Sequence, residues 1–100
     1  MAYMSVVRVR VKPESQATIE QATQQLLAGR RAWREAGDLI ETRLARAEDG
    51  KAYALVSLWR DKAAHDRHED APEEQETLQQ LAAVLAGPPE ELVGEVVAEL

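Results

Sequence analysis

Residues 38–61 read DLIETRLARAEDGKAYALVSLWRD, two strand-like stretches joined by a turn. In the first, Leu39, Ile40, Thr42 and Leu44 stand among charged neighbours. Glu48-Asp49-Gly50-Lys51 carries an Asp-Gly pair, a strong hairpin signal because glycine accepts positive φ. Ala52 to Trp59 contains no charged residue, so this strand is expected at the centre of a sheet, buried on both faces.

Toward the N-terminus, Tyr3 to Val11 places Val7, Val9 and Val11 in alternation with Arg8 and Arg10, the period of a strand with one apolar face. Pro13 ends it. From about Glu14 to Glu35 the sequence is rich in Gln, Ala, Glu and Leu, and Ile19, Ala22, Leu26 and Trp33 share one side of a long helix. Gly37 supplies its stop.

Toward the C-terminus, Asp61 is a fitting N-cap for a short helix through His68. Pro72 separates this from a third helix, Glu73 to Ala86, with Leu78, Leu81 and Leu85 on one face and glutamates in the first turn. Gly87-Pro88-Pro89 stops it, and Leu92 to Leu100 is expected to be the last strand.

Strand, helix, hairpin, helices, strand is the order of a ferredoxin-like split βαβ domain, an α+β fold with an antiparallel sheet covered by helices on one face. The first strand should lie between the third and fourth, with Arg8 and Arg10 near Glu95 and Glu99. The uncovered face would carry Val6 and a mix of charges. An open face invites association, so a homodimer packed sheet to sheet is expected.

Residues 1–100 fit one domain, with a core made mainly of Val, Leu, Ile and Ala, since there are four aromatics and no Phe. A net charge of −6 argues against a nucleic-acid partner. The densest basic cluster, Arg30-Arg31-Ala32-Trp33-Arg34, reads as a solvated helix face. The absence of cysteine excludes disulfides, thiolate catalysis and cysteine-ligated metals. No apolar run approaches the roughly 20 residues of a membrane span, and no secretory signal is evident, so the chain reads as soluble and cytoplasmic.

Ala36 onward, with Gly37, the hairpin, Tyr53-Ala54-Leu55-Val56-Ser57-Leu58-Trp59-Arg60-Asp61 and a helix ending in His68, resembles the antibiotic biosynthesis monooxygenase family. The resemblance implies a dimeric α/β barrel whose last strands tie the protomers together, with an apolar cleft between helices and sheet. It further implies cofactor-free oxygenation of quinols or polycyclic phenols, with no metal or other cofactor bound. Haem-degrading cousins carry an Asn in the first strand. This chain has no Asn, which points away from that activity.

Within that frame His68 is the candidate general base, histidine being the side chain whose ordinary titration lies near neutrality. Trp59 is placed to stack on a planar small aromatic molecule, or else to cap the core. Trp33, with Leu26 and Gly29, would form the opposite wall. Tyr53 and Ser57 share a strand face with Trp59 and could orient a polar substrate group, although both are also ordinary strand residues. His65 and His68 lie three apart and could begin a metal site with Asp61 or Glu69, but a solvated acidic face explains them more simply, and no metal is expected. The same dimer could instead be a non-catalytic, small-ligand-binding or stress-related protein, because fold alone does not fix activity.

Overall fold

In a computed structural model describing residues 1–100, the chain forms β1 (Tyr3–Arg10), α1 (Gln16–Glu35), β2 (Leu39–Arg46), β3 (Ala52–Trp59), α2 (Lys62–His68), α3 (Pro72–Ala82) and β4 (Glu90–Glu95). The strands make one antiparallel sheet in the order β2-β3-β1-β4, the ferredoxin-like arrangement expected from the hairpin and its flanks. The sheet does not close on itself. No helix is long and apolar enough to cross a membrane.

Alternation sets the two faces. Tyr3 pairs with Trp59, Ser5 with Ser57, Val7 with Leu55 and Val9 with Tyr53, and this set faces the helices. The core beneath them falls into two clusters. Tyr3, Trp33, Leu39, Trp59 and Ala71 pack at one end, and Val11, Ile19 and Tyr53 at the other. The opposite sheet face carries Met4, Val6, Val56, Leu58 and Leu92, and nothing in the single chain covers it.

The exposed area agrees with an unfinished surface. The chain exposes 6883 Å², whereas a compact monomer of 11.1 kDa is expected to expose about 5,650 Å². The excess, about 1,200 Å², is comparable to what one partner contributes to a protein–protein interface. Part of it lies on the extended tail, where Val97 and Leu100 are fully open.

Two expectations need correction. The last strand is Glu90–Glu95 rather than residues 92–100, so Arg8 faces Glu90 and Glu95 lies opposite Tyr3. The partial alternation around Val96 reflects a strand already ending, where the Val96 amide donates to the Ala2 carbonyl. Nor is the third helix as long as its leucines suggested: it stops at Ala82, and Leu78 is exposed.

One local feature sets up the site. Gly37, at φ 85°, ends α1 with its own amide donating to Arg34 and the Asp38 amide donating to Trp33. This Schellman closure needs a residue that tolerates left-handed backbone. It delivers the Asp38 side chain beside Trp33 at the foot of β2.

Candidate functional site

Three aromatic rings and two histidines converge where β3 ends and α2 begins. Trp59 closes β3 opposite Tyr3, and its indole N–H donates to the Ser5 hydroxyl at 3.3 Å. Asp61 caps α2 by accepting from the Ala64 amide at 2.8 Å, a bond that holds its carboxyl below the usual range. With the helix start fixed, His65 and His68 fall three apart on the face turned to Trp59.

His68 stacks on Trp33 with centroids 4.2 Å apart and planes at 18°, and lies 6.0 Å from the Trp59 ring. Its Nε2 is 2.9 Å from Asp38 Oδ2. Asp38 is also paired with Arg67 at 2.9 Å and Arg60 at 3.2 Å, and its carboxyl is lowered first by the His68 hydrogen bond and then by these guanidiniums. An ionised carboxylate can only accept, so a neutral His68 holds its proton on Nε2 and leaves Nδ1 as the basic atom. His65 meets the Trp59 ring edge-on at 5.5 Å, stands 5.0 Å from the Tyr3 ring, and bonds Asp66 through Nδ1 at 2.9 Å. At 5% exposure it is a wall residue rather than a solvated histidine.

Beside them opens a cleft of about 440 Å³ between sheet and helices, within the usual range for small-molecule sites. Val7, Leu55 and Trp59 floor it, Leu26 and Leu81 flank it, and His65 and His68 stand at its side. A second hollow, about 420 Å³, lies between α1 and the edge strand β2 and is lined by four arginines without either histidine or any aromatic ring. The first holds the groups that could do chemistry.

The five residues singled out from sequence divide. Trp59 and His68 line the cleft. Trp33 stands behind His68 as its stacking partner. Tyr53 lies at the far end of β3, where its hydroxyl donates to Glu20 at 2.6 Å, and burial followed by that bond raises its pKa. Ser57, 2% exposed, is bound from within. Gly29, expected to leave room opposite Trp59, points to open space on the outer side of α1.

The group holding Ser57 is Arg30, and here the expectation of a solvated basic face fails. Arg30 binds Glu74 through Nε at 2.8 Å and Nη2 at 3.2 Å, and donates from Nη1 to Ser57 at 3.0 Å and Thr42 at 3.2 Å. Its guanidinium lies 5.6 Å from both indole centroids, within cation–π range of each. The sequence held half of this signal, because Arg30 is three residues before Trp33 and therefore shares its helix face. Glu74 is 44 positions away, and its approach depends on α3 packing against α1.

As for metals, His65, Asp66 and Glu69 bring ligand atoms within 4.8 Å of one another. Asp66, however, already holds Lys62 at 2.8 Å and His65. The combinations that involve Asp61 or His68 are blocked, since those side chains serve the cap and the Asp38 bond. Within the trio Asp66 is committed to Lys62 and His65, whereas Glu69 makes no hydrogen bond or ion pair.

The sequence matches the antibiotic biosynthesis monooxygenase family over residues 2–80. No curated protein matches it in sequence. Solved structures share the fold at low identity. Rv0793 from Mycobacterium tuberculosis is 19% identical, with a TM-score of 0.78 covering 99% of this chain and 98% of its own. A conserved protein from Methanosarcina mazei is 19% identical, with a TM-score of 0.82 over 94% and 91%. A variant of SnoaB from Streptomyces nogalater, described as a cofactor-independent oxygenase, is 20% identical with a TM-score of 0.77 over 99% and 96%. At such identities these three speak for the fold alone.

Proposed function

This chain belongs to the antibiotic biosynthesis monooxygenase family, and from that membership we propose that its helix–sheet cleft oxygenates a small phenol or quinol with O₂ and without a bound cofactor. SnoaB, on the same fold, is described as a cofactor-independent oxygenase. The observation that carries the reading is His68, fixed on one side by Trp33 and on the other by Asp38, at the wall of an apolar cleft.

The chemistry asks little of the protein beyond binding and proton transfer. His68 takes the phenolic proton, and the resulting phenolate is electron-rich enough to reduce O₂ itself. For a phenol with a free ring C–H, one oxygen atom becomes the new quinone carbonyl and the other leaves as water. Both electron pairs come from the substrate, so no external reductant is needed. Trp59, Leu26 and Leu55 hold the ring and keep water from the intermediate. Asp38 steadies the imidazolium that forms on His68, as a carboxylate does behind any histidine base.

The same reading takes the protein as a cytoplasmic homodimer whose open sheet faces meet and complete the barrel. A second reading keeps the same cleft as a carrier for an aromatic ligand. It is favoured by the internal bonds of Trp59 and Ser57, which leave few polar groups to orient a substrate. An oxygen electrode separates the two. Metal-stripped protein given a panel of naphthols and quinols should accelerate O₂ uptake with at least one of them. Tight binding of several without any O₂ uptake would establish the carrier instead.

A further inference from the structure

The charges around the cleft are unequal. Glu69, Asp70, Glu74 and Glu91 all line it, against one guanidinium, Arg30. Arg30 is consumed by Glu74 in a two-point ion pair, and both side chains are largely buried. Glu69, Asp70 and Glu91 are exposed, so they stand at the opening rather than the floor, and no hydrogen bond or ion pair engages them. Glu91 reaches that position because it pairs with Val7 on the helix-facing side of the sheet. Cations close by in sequence do not offset them. Lys62 lies on Asp66, Arg67 on Asp38, and Arg60 on Asp38 and Asp61.

We propose that this acidic mouth makes the cleft selective for phenols that carry a cationic amine substituent, tolerant of neutral ones, and hostile to carboxylated ones. The inference rests on the aromatic-binding reading above and adds the charge of the substrate to it. The ring lies against Trp59 and His68, and a short ammonium arm reaches the mouth, whose lining includes three carboxylates without partners. A carboxylate arm in the same place meets only like charge. Each exposed pair changes an equilibrium by about 1.5- to 5-fold, so three acting together separate a cation from an anion by about tenfold or more. The separation should shrink with salt, because exposed charges are screened over about 10 Å at 0.1 M ionic strength.

The probes are three naphthols of one skeleton bearing aminomethyl, hydroxymethyl or carboxylate at the same ring position. Binding is measured by calorimetry at low and at moderate salt. The expected order of affinity is amine, alcohol, carboxylate, with the amine-to-carboxylate ratio near tenfold or above at low salt and smaller at high salt. In the triple variant Glu69→Gln, Asp70→Asn, Glu91→Gln the three affinities should converge. These positions are on the surface, where such changes seldom disturb folding. Equal affinities in the unmodified protein, a preference for the carboxylate, or an order that survives in the triple variant would each overturn the proposal while leaving the aromatic cleft intact. Failure of all three naphthols to bind would remove the cleft reading itself.

Discussion

Replacing Glu74 with Leu removes one partner from the most buried ion pair in the protein. The two side chains are 12% and 8% exposed, and the Arg30 fork bonds Glu74 twice and two hydroxyls besides. Without Glu74 the guanidinium keeps Ser57 and Thr42 but loses its counter-charge beside the two indoles. Stranding one member of a buried pair costs about 3–5 kcal/mol. The residual exposure of Arg30 gives water a route to it, which favours the lower end, about 3 kcal/mol. For a domain of this size that corresponds to a fall of about 12 °C or more in Tm. Adding Arg30→Met should restore most of the loss, because a well-packed apolar pair of similar volume is often as stable as the ion pair it replaces. Urea unfolding followed by circular dichroism, at one fixed protein concentration, of the wild type, both single variants and the double variant completes the double-mutant cycle. A loss below about 1 kcal/mol for Glu74→Leu alone, or a double variant worse than the single one, would refute a desolvated, mutually dependent pair.

Three further outcomes are expected. Sedimentation at micromolar concentration should give twice the 11.1 kDa chain mass, and Val6→Asp on the open sheet face should return it to a single chain; a wild-type species at 11.1 kDa would contradict the dimer. The lowered carboxyls of Asp38, Asp61 and Asp66 contribute stability that is complete above the unfolded value near ~4 and is lost as pH falls through their folded values. Asp38→Asn should therefore flatten the acid limb of the stability profile, whereas an unaltered acid limb would show that Asp38 lacks its His68, Arg67 and Arg60 partners in solution. Thermal unfolding should not respond to EDTA, and a large drop in midpoint would reveal a metal held by the folded state.

The fold was legible because its signals are local. The Asp-Gly turn, the uncharged run of β3, Gly37 and the Asp61 cap each act within a few residues, and together they leave few topologies. Much of the site was hidden because it is assembled across distance. His68 carries no sign that Asp38, thirty positions earlier, will meet its Nε2; that contact follows from the closure at Gly37. Arg30 looked solvated because Arg31, Arg34 and a charged helix surface surround it, and only the packing of α3 brings Glu74 to it. Tyr53 and Ser57 share a strand face with Trp59, as alternation required. Alternation does not say which positions along that face open to a cleft and which lie under a helix.

The proposed chemistry turns on His68 as the base within the cleft. The most direct test is O₂ uptake by metal-stripped wild type, His68→Ala and His65→Ala with the same naphthol or quinol. Loss of a general base lowers turnover by about 10²–10⁴-fold, so His68→Ala should fall by that much with binding largely retained. His65→Ala should keep turnover within a few-fold, because its Nδ1 is spent on Asp66 and it serves as wall. Full turnover in His68→Ala, or equal losses in both variants, would contradict the mechanism.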